Sequence, residues 1–170
     1  KIPYVFILAN GNTTVDSAES LKQKAQSVKV TFGDGTFVKK NSSNNSVVMN
    51  DDGYNVIPNG VEINYEEGCE MEGLIYSTTS LTVESAVCDI TNNFRGGTFN
   101  EYVYAAPTGT YNGKLVNNIS GGTFKDRFFA GTSGSVSSIE NNVSGGTFNG
   151  STYFGNGYGG TVKNGVTNTF

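Results

Sequence analysis

Three copies of Gly-Gly-Thr-Phe, stepped by 25 and then 24 residues, constrain this chain more than any other feature. They are Gly96-Gly97-Thr98-Phe99, Gly121-Gly122-Thr123-Phe124 and Gly145-Gly146-Thr147-Phe148. A fixed period of this size marks a solenoid, in which each repeat is one coil that buries its apolar face against the next.

The repeat extends on both sides of the glycines. Upstream come Ile90-Thr91-Asn92-Asn93-Phe94, Leu115-Val116-Asn117-Asn118-Ile119, Ile139-Glu140-Asn141-Asn142-Val143 and Val166-Thr167-Asn168-Thr169-Phe170. These align Asn92, Asn117, Asn141 and Asn168 in one column. Downstream come Tyr102-Val103-Tyr104, Arg127-Phe128-Phe129 and Thr152-Tyr153-Phe154. A third short strand is expected through Gly113-Lys114-Leu115, Gly134-Ser135-Val136 and Gly160-Thr161-Val162. No helical period fits, because β-branched and aromatic residues alternate in short runs between Gly, Asn and Ser turns.

The expected fold is therefore all-β: a single-stranded, right-handed parallel β-helix (β-solenoid) of about 24–25 residues per coil, with a short N-terminal capping helix. Phe99, Phe124 and Phe148 would stack inside. The Asn column would sit at a turn and bond along the stack.

Less regular sequence precedes the repeats. Residues 1–35 read as a strand at Ile2 to Ala9, a helix over 16–26 capped by Asp16 and Glu19, and a strand at Val28, Val30 and Phe32. Residues 36–95 read as irregular coils, with Gly35-Thr36-Phe37 echoing the later motif and a polar loop over 39–46. Strands are expected at Val47-Val48-Met49, Val56-Ile57, Val61-Glu62-Ile63 and Gly73-Leu74-Ile75-Tyr76. Residues 96–170 are the regular repeats, and 1–170 reads as one domain. The start at Lys1 and the stop in mid-repeat suggest a mature or excised segment of a longer protein.

Composition narrows the chemistry. The chain has no His, which removes Ser-His-Asp and Cys-His nucleophiles and most transition-metal sites. A net charge of −4 with scattered cations speaks against nucleic acid, and no apolar run is long enough for membrane insertion. No cofactor is expected. Calcium is the one ion to consider, at Gly33-Asp34-Gly35, at Asp51-Asp52-Gly53 or on the acidic stretch Glu62, Glu66, Glu67, Glu70 and Glu72. The plainer reading of all three is turns and a solvated loop. In the late coils Glu101, Asp126 and Glu140 form no recurring column, so no catalytic pair is assigned. Cys69 and Cys88 flank one irregular coil at a separation that a disulfide between rungs would suit; two buried thiols are the alternative.

The aromatic clusters are the candidate binding residues. They align as Val103, Phe128 and Tyr153 beside Tyr104, Phe129 and Phe154, with Tyr111 and Tyr158 widening the strip. Neighbouring strand residues face opposite ways, so one column would be a ladder of exposed rings able to stack on sugars or a partner surface. Stacking of the rings on each other, under a loop, is the plainer alternative. Asn-X-Ser/Thr triplets at Asn12, Asn41, Asn44, Asn118, Asn142 and Asn149 follow from an Asn-rich composition.

The coil Asn-Asn-Ile-Ser-Gly-Gly-Thr-Phe, followed by an aromatic and a small residue, resembles a repeat of large secreted or wall-attached, adhesin-like proteins of anaerobic gut and rumen bacteria. The resemblance covers about residues 90–170 and, more weakly, 30–90. It implies secretion or cell-surface display and attachment, with no catalytic residues to carry over. The expected function is adhesion to polysaccharide or glycoprotein. The rivals are a structural spacer or end-to-end self-associating segment, a β-helix polysaccharide lyase or hydrolase, and ice binding, for which the regular Thr-X-Thr ladder is missing.

Overall fold

The computed structural model describes residues 6–7, 28–48, 60–76, 89–105, 113–131, 135–156 and 160–170. Every strand pair among them is parallel, and the strands line up in three sheets that together form a β-solenoid. Each coil contributes one strand to each sheet in turn.

The first sheet, the long sheet, has six strands: Val28–Phe32, Val61–Tyr65, Ile90–Phe94, Lys114–Ile119, Ser138–Val143 and Val166–Thr169. The second, the Thr-Phe sheet, has five: Phe37–Val38, Glu70–Met71, Thr98–Phe99, Thr123–Phe124 and Thr147–Phe148. The third, the ring sheet, has six: Phe6–Ile7, Asn45–Val48, Leu74–Tyr76, Val103–Tyr104, Phe128–Phe129 and Thr152–Tyr153. The separate third strand expected at residues 113–115 is instead the start of the long strand. At 135–136 and 161–162 only a single bridge, Val136 to Val162, is formed.

Alternation decides what goes inside. In Lys114–Ile119, Leu115, Asn117 and Ile119 are buried while Lys114, Val116 and Asn118 face outward. Inward columns therefore run through the whole stack. Phe32, Tyr65 and Phe94 stack ring on ring at 5.4 and 5.0 Å. Phe99, Phe124 and Phe148 do so at 4.7 Å per step. Phe128 meets Phe94 and Phe124 edge-on and closes the core between the sheets. Each such side chain contributes about 1.5–3 kcal/mol by leaving water, which is how two-residue strands hold their place.

The Gly-Gly pair has two distinct causes. A Cβ on Gly121 would sit 2.3 Å from the Arg95 carbonyl oxygen, and one on Gly145 would sit 2.4 Å from that of Ser120. The first glycine thus lets successive turns touch. The second has positive φ, +86° at Gly97 and +93° at Gly122, which a side chain disfavours.

Coils lengthen toward the N-terminus. Register matches Phe32 to Tyr65 and Tyr65 to Phe94, steps of 33 and 29 residues against 25 from Phe94 to Ile119. Coiling already includes Val28–Phe32, ahead of the echo at Gly35-Thr36-Phe37. That echo is offset by one residue. Phe37 pairs with Glu70 in the Thr98 column, and Val38 takes the buried place of Phe99. No helix occurs among the described residues, and the expected capping helix at 16–26 lies outside them. The expected strand at Val56-Ile57 lies outside them too.

Candidate functional site

The ring sheet carries the outward aromatic strip, in a register that differs from the sequence alignment. Val103 pairs with Phe128 and Phe128 with Thr152; Tyr104 pairs with Phe129 and Phe129 with Tyr153. The outer column is therefore Tyr104, Phe129 and Tyr153. Tyr153 takes the outer place expected of Phe154, and Thr152 rather than Tyr153 follows Val103 and Phe128. The reason is spacing. The step from the Thr-Phe strand to the ring strand is four residues in each regular coil, from Phe99 to Val103, Phe124 to Phe128 and Phe148 to Thr152.

Phe154 lies beyond the strand and turns back to the core, edge-on to Phe148 at 5.9 Å and to Phe170 at 5.4 Å. Val103 and Phe128 are interior residues, 1% and 0% exposed. Tyr111 and Tyr158 lie outside the described residues.

Within the strip the three rings are nearly parallel and stacked face to face. Tyr104 and Phe129 stack at 5.0 Å and 7°, and Phe129 and Tyr153 at 4.9 Å and 1°. Tyr102 meets Tyr104 and Phe129 edge-on at 6.1 and 6.2 Å. The Arg127 guanidinium lies 5.1 Å from the Tyr102 ring centre. Exposure is uneven: Phe129 is 1% exposed, whereas Tyr153 is 45% exposed and Tyr102 and Tyr104 are half-buried. Phe129 is a filler between tyrosines, and the accessible rings are Tyr153, Tyr104 and Tyr102.

The long sheet carries two asparagine ladders of opposite polarity. In the inner one, Asn92 donates to Asn117 at 2.9 Å, Asn117 to Asn141 at 2.8 Å and Asn141 to Asn168 at 2.8 Å. The inner ladder lies in mid-strand, where side chains alternate into the core, rather than at a turn as the sequence suggested. Its direction is set by backbone carbonyls of Ala105 and Phe154, which accept from Asn92 and Asn141 and so need the amide N–H on that side.

The outer ladder was missed in the sequence, though the second Asn of each Asn-Asn pair signals it. Asn142 donates to Asn118, Asn118 to Asn93, and Asn93 to Asn64. It runs toward the N-terminus because Glu140 accepts from Asn142 at one end and Arg95 donates to Asn64 at the other.

The acidic residues are dispersed and engaged. Glu62 pairs with Lys29 at 3.1 Å, Glu140 with Lys114 at 2.6 Å, and Glu66 with Arg95. Hydrogen bonds from Lys29 and from Lys114 hold the Glu62 and Glu140 carboxyls below the usual range. Glu70 accepts from Asn100, and Glu72 from the Lys40 backbone N–H. Glu101 lies 4.0 Å from Lys40, and Asp126 accepts from the Arg127 N–H. Among the described residues no three acidic or sulfur side chains gather around one point. Asp51 and Asp52 lie outside them.

Cys69 is a free, buried thiol, so the disulfide expected with Cys88 is not made; Cys88 itself lies outside the described residues. Burial pushes the Cys69 thiol up to about 11. Nearby, Tyr65 is fully buried, its hydroxyl has no partner, and burial raises its pKa well above the ordinary phenol value.

Over the Gly-Gly turns a furrow of about 540 Å³ runs along the stack. It is lined by the glycines of successive turns, by Thr98, Thr123 and Thr147, and by Arg95, Glu67 and Glu70. The sequence signal for it was the motif itself, since paired glycines leave a row without side chains.

No family model, curated protein or solved structure matches this chain.

Proposed function

We propose that this chain is a binding module of a secreted or surface-displayed protein, which adheres to polysaccharide or glycoprotein through the outer strip of the ring sheet. The observation that carries this reading is the parallel stack Tyr104, Phe129 and Tyr153, set outside the apolar core and flanked by the half-buried Tyr102. Rings fixed by stacking on their neighbours lose little freedom on meeting a ligand, and a pyranose offers an apolar face and a hydroxyl rim that suit tyrosine. The long sheet supports the strip: Asn92 and Asn141 donate to the Ala105 and Phe154 carbonyls just past the ring strands.

The test is retention of the purified protein, at low micromolar concentration, on insoluble polysaccharides and mucin. Retention on one matrix, lost on changing Tyr153 to Ala with the fold intact, supports adhesion. Absence of retention on every matrix refutes it.

A second reading is a structural spacer or end-to-end self-associating segment, a role that the in-register parallel stacking of coils in all three sheets would suit. Sedimentation that depends on concentration would favour it. A polysaccharide lyase or hydrolase has less support. Glu101 and Asp126 occupy equivalent places on successive coils, but one faces Lys40 and the other caps a backbone N–H.

A further inference from the structure

The outward faces of the solenoid differ in how far they satisfy their own polar groups. On the long sheet the outer amides bond one another from Asn142 down to Asn64, and Glu62 and Glu140 beside them are paired with lysines. Around the Gly-Gly turns the polar groups go unmet. The N–H groups of Gly97 and Gly122, the carbonyls of Gly96 and Gly121 and the hydroxyls of Thr98 and Thr123 make no hydrogen bond with the described residues. All six residues line the furrow, where Gly97, Thr98, Gly122 and Thr123 are partly exposed. A backbone group goes without a protein partner only where solvent or a ligand reaches it.

We infer that the furrow is a second binding site, which holds one neutral glycan chain along the solenoid axis with one sugar unit per coil. It lies apart from the strip on the ring sheet and does not rest on it. The volume, about 540 Å³, falls within the roughly 300–1,000 Å³ of ligand sites. Each turn offers a carbonyl acceptor, an N–H donor and a hydroxyl, and successive coils repeat the set about 4.8 Å apart. Sugar hydroxyls both donate and accept, so they can meet all three. A 1,4-linked pyranose is about as long as one such step. An extended peptide repeats a face only every two residues, about 6.6 Å, and loses register at the next turn. The glycines bring a ring directly against the backbone, with no side chain between.

Both turns have coils on either side, since Thr98 pairs with Glu70 and Thr123, and Thr123 with Thr147. Charge favours a neutral chain over an acidic one. Arg95, the cation that lines the furrow, is bonded to Asn64 and Glu66, while Glu67 and Glu70 line the furrow as well. An acidic glycan would meet two carboxylates and a cation already engaged.

The experiment is calorimetric titration of the intact chain with β-1,4-linked gluco-, manno- and xylo-oligosaccharides of two to six units, and with oligogalacturonides as the acidic counterpart. Wild type is compared with Thr98→Val/Thr123→Val, which removes both hydroxyls and keeps the side-chain shape, and with Thr123→Phe, which fills the furrow. The same column holds Phe37 in an earlier coil, so an aromatic fits there, and thermal melts check that every variant folds. The expected result is binding of one neutral series, tightening about fivefold per sugar up to four units, one for each turn that lines the furrow, and then levelling. The valine variant should weaken it about tenfold and Thr123→Phe should abolish it. No binding of any neutral series overturns the inference, as does tighter binding of oligogalacturonides. Affinity that ignores both threonine variants but is lost in Tyr104→Ala also overturns it, and places the sugar on the ring-sheet strip instead.

Discussion

The Asn92 side chain donates to the amide oxygen of Asn117 at 2.9 Å with both residues 0% exposed, and this buried contact is repeated on the following rungs. A buried amide is tolerated only when its donors and acceptors are met. Here one residue type at one register meets them rung after rung, so a one-residue slip would strand several amides at once. Register, more than net stability, is what the ladder supplies.

Asn117 is accordingly the position where substitution is most informative. Asn117→Ala strands the Asn92 donor and the Asn141 acceptor, and should lower the free energy of unfolding by about 2–4 kcal/mol in urea titration. Asn117→Asp tests the polarity of the ladder. An ionised carboxylate can accept from Asn92 but cannot donate to Asn141. Burial should raise the folded pKa of this Asp above its unfolded value of about 3.9. A raised folded pKa means stability fully present below the unfolded value and lost as pH rises through the folded one. The variant should therefore approach wild-type stability near pH 4 and fall behind it toward pH 7. A deficit that does not change with pH contradicts the assigned polarity.

Three glycines separate contact from strain. Gly121→Ala pushes a Cβ against the Arg95 backbone. Gly165 has φ +93° but open space, and Gly155 has open space without positive φ. Unfolding free energies from urea titration should fall most for Gly121→Ala, by about 1–2 kcal/mol for Gly165→Ala, and hold or rise slightly for Gly155→Ala.

Cys69 should react with thiol reagents only on unfolding. Its thiol is buried and its pKa is pushed up to about 11, so little thiolate exists at neutral pH. Labelling at pH 8, located by peptide mass spectrometry, should be slow in buffer and fast in denaturant. A peptide pair joined through Cys69 and Cys88 would contradict the free thiol.

The charged pairs on the long sheet should matter little and in a defined direction. Lys114 holds the Glu140 carboxyl below its ordinary value. A lowered folded pKa gives stability present above the unfolded value and lost as pH falls through the folded one. Lys114→Met should thus cost under about 1 kcal/mol at pH 7, and the difference should vanish in acid. A gap that persists at pH 2 would show that the lysine acts through packing.

Phe129 and Tyr153 belong to one column but should behave oppositely. Phe129→Ala empties a site that is 1% exposed and should cost about 3 kcal/mol. Tyr153→Ala trims an exposed ring and should cost under about 1 kcal/mol. Comparable thermal melts for the two variants would refute the assigned burial.

Much of this architecture is legible in the sequence, because period and alternation are read by counting. The Gly-Gly-Thr-Phe steps locate the stacked Phe99, Phe124 and Phe148, and the Asn alignment locates the inner ladder. Where chemical likeness replaced counting, the reading slipped. Thr152-Tyr153-Phe154 looks like Arg127-Phe128-Phe129, yet the constant four-residue spacing from Phe148 puts Thr152 opposite Phe128. The Gly35-Thr36-Phe37 echo failed the same way, since only a partner strand shows that Val38 is the buried residue. The burial of Phe129 depends on what neighbouring coils bring close, which no local pattern encodes.

The most direct test of the binding role is an equilibrium titration on whichever polysaccharide or glycoprotein matrix retains the protein, comparing wild type with Tyr153→Ala and Phe154→Ala. The strip as assigned predicts at least tenfold weaker binding for Tyr153→Ala at an unchanged melting temperature, and for Phe154→Ala a lowered melting temperature with affinity kept while folded. Full affinity in Tyr153→Ala would contradict it.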